Sequence, residues 1–147
     1  MRMKRSRRIA APVEDVWSLA TDPHHLPRWW PATQRVENVS PAGWTTVSMT
    51  PRGRTVRADY SVATTEPPHL ARWRQDLEGT PFARLFSALS YELSLSPGEG
   101  GTEMSIQVDQ QPRGWARLGV IQLRGAAKRQ LDYALESLAD IVDEPGR

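Results

Sequence analysis

Hydrophobic positions change their period twice along the chain. Val13, Val16, Trp17 and Ala20 recur at i, i+3, i+4 and i+7, the spacing of one apolar helix stripe. Pro12 suits the first helical position, and Glu14 and Asp15 suit the positive end of the helix dipole, which predicts a helix over about residues 12–20. Asp22-Pro23 opens a second short helix in the same way, held to about one turn by Pro27 and Pro31. From about 34 to 110 the period becomes two. Short alternating runs are separated there by Pro/Gly punctuation at 41–43, 51–53, 66–68, 79–81 and 97–101, the pattern of an antiparallel meander. After Pro112 the period returns to 3.6: Val120, Leu123, Ala127, Leu131, Ala134, Leu138 and Ile141 line one face through about 142. That predicts a helix of about 27 residues, roughly 40 Å long at 1.5 Å per residue.

A long helix with a single apolar face cannot stand alone and must lie across the apolar side of the meander. The predicted fold class is α+β, with a curved antiparallel sheet of about seven strands wrapped around a long C-terminal helix.

The segments Ile9-Ala-Ala-Pro-Val-Glu-Asp-Val-Trp17 and His25-Leu-Pro-Arg-Trp-Trp-Pro31 add a second line of reasoning. They resemble the opening of the START-like, or SRPBCC, superfamily of polyketide cyclase/dehydrase and lipid-transfer proteins. Its members typically carry a "Pro-x-x-x-Val-Trp" helix and a "Leu-x-x-Trp-x-Pro" turn, read here as Pro12, Val16, Trp17, Leu26, Trp29 or Trp30, and Pro31. The likeness continues through Gly100-Gly-Thr-Glu-Met104 and the terminal helix, covering residues 1–147 as one START-like domain. It implies the helix-grip fold, two short helices after the first strand, and a hydrophobic pocket between sheet and helix.

Strand alternation sorts side chains by face. With residues 54–63 paired to 69–78 so that partner numbers sum to 133, Arg57 stands opposite Asp76 and Asp59 opposite Arg74. Tyr60 then meets Trp73, Ala58 meets Gln75 and Val56 meets Leu77 on the other face. The charged quartet is then outward, and such exposed pairs contribute only about 0–1 kcal/mol each. In another register the same four residues would line the cavity and become catalytic candidates. Elsewhere the alternation turns Thr45, Val47 and Met49 inward, with Leu89, Tyr91, Leu93 and Leu95, and with Met104, Ile106 and Val108. Trp44 falls on the outer face of its strand, where it is either exposed or caps a cavity end. Gly125, Ala126 and Ala127 leave small residues opposite the aromatic face, which means either tight contact or vacant volume.

Composition narrows the function classes. A chain of 147 residues buries roughly 68% of its unfolded surface and needs no staples, and it has no cysteine for disulfides or thiolate metal sites. No apolar run is long enough to span a bilayer, and the basic start lacks the apolar stretch of a secretion signal, so the sequence reads as cytoplasmic. The net charge of +2 conceals an asymmetry: five of 19 basic residues lie in the first eight positions, leaving 14 against 17 acidic residues in the rest. A basic head on an acidic body suits no nucleic-acid reader. Arg2, Lys4, Arg5, Arg7 and Arg8 fit a solvated first strand whose charges discourage edge pairing, with transient contact to anionic lipid as the alternative.

His24, His25 and His69 lack the spacing of a metal site or triad, and no nucleophile elbow, P-loop or dinucleotide fingerprint occurs, so no metal or cofactor is expected. The candidate ligand-contacting residues are Trp30, Val47, Met49, Tyr60, Trp73, Gln75, Tyr91, Leu93, Met104, Leu123 and Ala127. An apolar pocket with a few polar groups is the ordinary form of a small-molecule site. Three functions fit: a binder of a small hydrophobic ligand (a lipid, a polyketide or another ring-containing or acyl molecule), a polyketide cyclase or dehydratase using the same cavity, and a protein-interaction module with a filled core. The sequence sets no catalytic residue and no oligomeric state.

Overall fold

The computed structural model of the chain describes residues 1–143, so the end of the 1–147 domain expected from the sequence lies outside the described residues. In chain order the elements are β1 (Arg2–Ile9), α1 (Val13–Thr21), a 3₁₀ turn at Pro23–His25, α2 (Leu26–Trp29), β2 (Thr33–Ser40) and β3 (Gly43–Met49). There follow β4 (Thr55–Glu66), β5 (Leu70–Asp76), a 3₁₀ turn at Pro81–Arg84, β6 (Phe86–Gly98), β7 (Gly101–Pro112), a 3₁₀ turn at Gly114–Gly119 and α3 (Val120–Asp143). The strands form one antiparallel sheet in the order β1-β7-β6-β5-β4-β3-β2. This is the helix-grip, START-like fold, with α3 lying across the β1/β7 end of the sheet and against α2.

Helix α1 starts one residue later than the proline rule places it, because Pro12 keeps an extended ψ of 152° and serves as the N-cap; its carbonyl accepts from the amides of Asp15 and Val16. The helix buries Val13, Val16 and Ala20 as the stripe requires. Asp22 caps the next turn by accepting from the His24 amide at 3.0 Å.

Helix α3 has 24 residues, about 36 Å at 1.5 Å per residue, shorter than expected because Gly114–Gly119 forms a separate 3₁₀ turn. Its buried residues are Ala127, Leu131, Ala134, Leu135, Leu138 and Ala139, and the alanines let it approach the sheet closely. Below it Ile9, Leu93, Met104, Ile106 and Val108 are almost wholly buried. The basic edge strand is clamped to the helix by Arg5 on Asp132 at 2.7 Å and by an Arg7–Glu136 ion pair. These arginines are thus partnered, not merely solvated.

Two strand assignments differ from the sequence expectation. The β4–β5 turn occupies three residues, Pro67–His69, so partner numbers sum to 136 beside it; an extra residue at Ala63 brings the sum to 135 farther along. Tyr60 therefore stands opposite Gln75, Trp73 opposite Val62, and Asp59 opposite Asp76. A two-residue shift conserves the faces, so the quartet is outward as expected, but its partners change. Arg57 pairs with Glu37, and Asp59 accepts from the Thr45 hydroxyl at 2.5 Å.

Strand β3 has the opposite parity to that expected. Trp44, Thr46 and Ser48 face the concavity opposite Tyr60, Ala58 and Val56, while Thr45, Val47 and Met49 face the convex side. An indole buries some 150–250 Å² and outweighs the Val/Met pair in choosing a face. Val47 is nonetheless fully buried, because it lies directly between Arg35 and Arg57, whose aliphatic stems can cover it. Met49 is 44% exposed.

Candidate functional site

The concave face carries a continuous run of aromatic rings, one from each of four adjacent strands. Trp44 of β3 stacks on Tyr60 of β4 with centroids 5.6 Å apart, and Trp73 of β5 stacks on Tyr91 of β6 at 5.8 Å. Trp44 and Trp73 stand 6.0 Å apart, Tyr60 and Tyr91 6.3 Å. Trp30, at the end of α2, meets Tyr91 edge-on at 5.3 Å and rests on Trp29 at 5.5 Å. The turn Leu26–Pro31 thus inserts its tryptophans into the grip, where Trp29 is 1% exposed.

This run divides the concavity into two hollows. The first, about 230 Å³, lies at the α1 end among Trp17, Leu26, Trp44, Val62, Ala71 and Trp73. The second, about 220 Å³, lies towards α3; its polar border is Thr46, Ser48, Tyr60, Gln75, Tyr91, Gln110 and Gln130, and its apolar border includes Trp30, Phe82, Phe86 and Leu89. A void of only about 10 Å³ between Trp30, Trp44, Tyr60 and Trp73 separates them.

The second hollow has the richer chemistry. Gln75 and Gln110 are 6% and 8% exposed, and among the described residues neither the Gln75 Nε2 donor nor the Gln110 Oε1 acceptor has a hydrogen-bond partner. Leaving such groups unpaired costs about 1–3 kcal/mol each. The Tyr60 hydroxyl bonds Thr46 and the Tyr91 hydroxyl bonds Gln130. Burial pushes the Tyr60 phenol up to about 12, opposed by the Thr46 bond. Burial raises Tyr91 further, aided by the nearby Tyr60 and opposed by Gln130. Both phenols therefore stay protonated near neutrality, able to donate a hydrogen bond but not to act as phenolate bases. Among the described residues the lining side chains include no carboxylate, imidazole, amine or guanidinium. Trp44, which borders the first hollow, likewise has a buried indole N–H with no partner among the described residues.

Of the residues singled out from the sequence, Trp30, Tyr60, Gln75 and Tyr91 border the second hollow, and Trp73 borders the first. Leu93 and Met104 are fully buried core under α3 and border neither. Val47 and Met49 lie on the convex face, removed by the parity of β3. Leu123 is half-buried and Ala127 packs as core, and neither borders a hollow; the vacant volume meets α3 at Gln130, one turn beyond the small residues. Trp44, Thr46, Gln110 and Gln130 are additions. Gln110 extends the inward alternation of Met104, Ile106 and Val108, a signal present in the sequence; Gln130 sits beside Leu131 on α3 with no such signal. His24 and His25 flank Asp22, and His69 lies 3.3 Å from the Leu95 carbonyl, so none of the three reaches the second hollow.

Comparison with known proteins follows this geometry. The family described as polyketide cyclase/dehydrase and lipid transport matches residues 1–143. No curated protein matches the chain. Among solved structures, a conserved protein from Geobacillus kaustophilus superposes with a TM-score of 0.79 at 18% identity, over 97% of this chain and 95% of that one. A START superfamily protein from Mycobacterium smegmatis does so with a TM-score of 0.76 at 14% identity, over 97% of each chain. The di-domain ARO/CYC protein BexL from the BE-7585A biosynthetic pathway gives a TM-score of 0.78 at 14% identity over 98% of this chain, which spans only 50% of that longer protein. At such identities these likenesses establish the fold. No helix among the described residues is long and apolar enough to cross a membrane.

Proposed function

The chain belongs to the polyketide cyclase/dehydrase and lipid transport family, and on that premise we propose that it binds a small hydrophobic, ring-containing or acyl molecule in the hollow between the sheet and α3. One observation carries the proposal: two buried amides that border the same hollow, Gln75 and Gln110, hold between them one donor and one acceptor with no hydrogen-bond partner among the described residues. A closed core would pair them or replace them with carbon. A ligand that carries one acceptor and one donor on an apolar frame satisfies both and gains stacking against Trp30 and Tyr91. At about 220 Å³ the hollow is smaller than the roughly 300–1,000 Å³ of drug-sized sites. The ligand that fits without rearrangement is compact, of one or two rings or a short acyl group.

The cyclase or dehydratase reading uses the same hollow. Protonated Tyr60 and Tyr91 favour it to the extent that a phenol can polarise a ketone and stabilise its enol by hydrogen bonding. Among the described residues the hollow has no carboxylate, imidazole or amine to serve as a base, and this makes binding without turnover the better-supported function.

Native mass spectrometry and tryptophan quenching against a panel of aromatic polyketides and acyl compounds test the binding reading. Retention of a compact ring compound, weakened by Gln75→Met and Gln110→Met, is the expected result; indifference to the whole panel overturns it. Turnover of a poly-β-keto mimic that disappears in Tyr60→Phe or Tyr91→Phe would establish the enzyme instead.

A further inference from the structure

The most exposed large apolar side chains lie in and just before the first turn of α3, and none of them lines either hollow. Trp115, Leu118 and Ile121 are 88%, 79% and 84% exposed, and Leu85 is 47% exposed. Leu85 belongs to the same surface because its carbonyl accepts from the Arg113 amide at 2.7 Å, tying the Pro81–Arg84 turn to the Gly114–Gly119 turn. Three protruding side chains of this size within seven residues are more than scattered surface apolarity.

The same stretch is wholly cationic. Between Asp109 and Asp132 the chain has no acidic residue and carries Arg113, Arg117, Arg124, Lys128 and Arg129. Among the described residues none of these five has a carboxylate within ion-pair distance. The contrast with β1 is direct: Arg2 lies on Asp109, Arg5 on Asp132, Arg7 on Glu136, and Arg8 donates to the Glu99 carbonyl. On β1 only Lys4 is without such a partner, whereas all five cations around the start of α3 are left to meet an external anion. Ile121, Arg124 and Lys128 fall at i, i+3 and i+7, which places them on one flank of the helix.

We propose that Trp115, Leu118 and Ile121, with Arg113, Arg117 and Arg124 around them, dock this face onto an anionic lipid surface. Charge selects that occupant: unpaired arginines interleaved with protruding indole and aliphatic groups match phosphate headgroups above and acyl carbons below. Tryptophan has its preferred position at the headgroup level, and unpaired arginine answers the negative potential there. With no spanning helix among the described residues, the contact is peripheral. The inference goes beyond the ligand assigned to the hollow and stands without it.

Co-sedimentation of the full chain with vesicles of equal parts phosphatidylglycerol and phosphatidylcholine, against pure phosphatidylcholine, tests it. The expected result is binding to the anionic vesicles alone, weakened by added salt. Arg113→Gln/Arg117→Gln/Arg124→Gln loses roughly fivefold per charge, about 100-fold in all. Trp115→Ser/Leu118→Ser/Ile121→Ser loses about 10-fold or more while keeping the wild-type melting temperature, since these side chains are exposed. Wild-type protein that stays in the supernatant overturns the proposal, and so does unchanged binding by the serine variant. A wild-type dimer that the serine variant converts to monomer would assign the face to a second copy and overturn it equally.

Discussion

Replacing the two unpaired amides separates a ligand site from a core, because the two roles predict opposite signs. Gln75→Met and Gln110→Met keep side-chain length and approximate volume while removing the polar atoms. Each wild-type amide holds one buried atom without a partner, at about 1–3 kcal/mol per group. Taking the low end, each variant should stabilise the ligand-free protein by about 1 kcal/mol. For a chain of this size that raises the melting temperature by roughly 2–4 °C, and the double variant by about twice as much. The sites lie on β5 and β7, with β6 between them, so near-additivity is expected unless the two amides couple through the shared hollow. The same substitutions should weaken any ligand found by quenching or mass spectrometry by roughly 2–10-fold each, the worth of one neutral hydrogen bond. Thermal melts and urea titrations of the apo proteins read the first effect, and ligand titrations read the second. A loss of 1 kcal/mol or more in both single variants would refute the reasoning, since it would mean that both amides are already paired in the native protein.

Alkaline titration gives a second expectation. The folded-state pKa of Tyr60 is raised to about 12 against an ordinary 10, so its contribution is complete below pH 10 and is lost as pH rises from 10 through 12. Two units correspond to about 3 kcal/mol, and urea midpoints measured across that window should fall less in Tyr60→Phe than in wild type. Gly43 gives a third: an added Cβ would stand 2.0 Å from the Tyr60 carbonyl oxygen and 3.1 Å from its carbon, both backbone atoms of the paired strand. Gly43→Ala should cost at least the upper part of the usual 1–3 kcal/mol overpacking range in urea denaturation, and a neutral result would contradict this close approach of β3 to β4.

Elements with one dominant period were legible in the sequence, and so were the faces of strands with a single hydrophobic parity. The stripe at Val13, Val16 and Ala20 and the inward series Leu89 to Leu95 and Met104 to Val108 are where alternation places them. Strand β3 was not legible, because Trp44 and Val47 compete for the core with opposite parity and both end up largely covered, one by aromatics and the other between arginines. The β4–β5 pairs were missed for a different reason. Complementary charges such as Arg57 with Asp76 carry too little energy to set a register, whereas turn length and an added residue at Ala63 set it outright. Gln110 was visible as the next inward position of β7; Gln130 was not, since a helix residue at the edge of its apolar stripe has no alternation to reveal its direction.

The aromatic run explains why a grip fold with so few layers holds two small hollows in place of one large one. Trp44, Tyr60, Trp73 and Tyr91 come from four consecutive strands, and each meets two of the others between 5.6 and 6.3 Å, so the rings support one another across the sheet. Such contacts add about 0.5–1.5 kcal/mol per pair beyond the area they bury. Moving one ring forfeits contacts to at least two neighbours. A ligand longer than the second hollow reaches the first by displacing a ring at the void between them, Trp30, Trp44, Tyr60 or Trp73, and its own stacking must replace what is lost. Ligand length is therefore set by the cohesion of this wall more than by the span of the sheet.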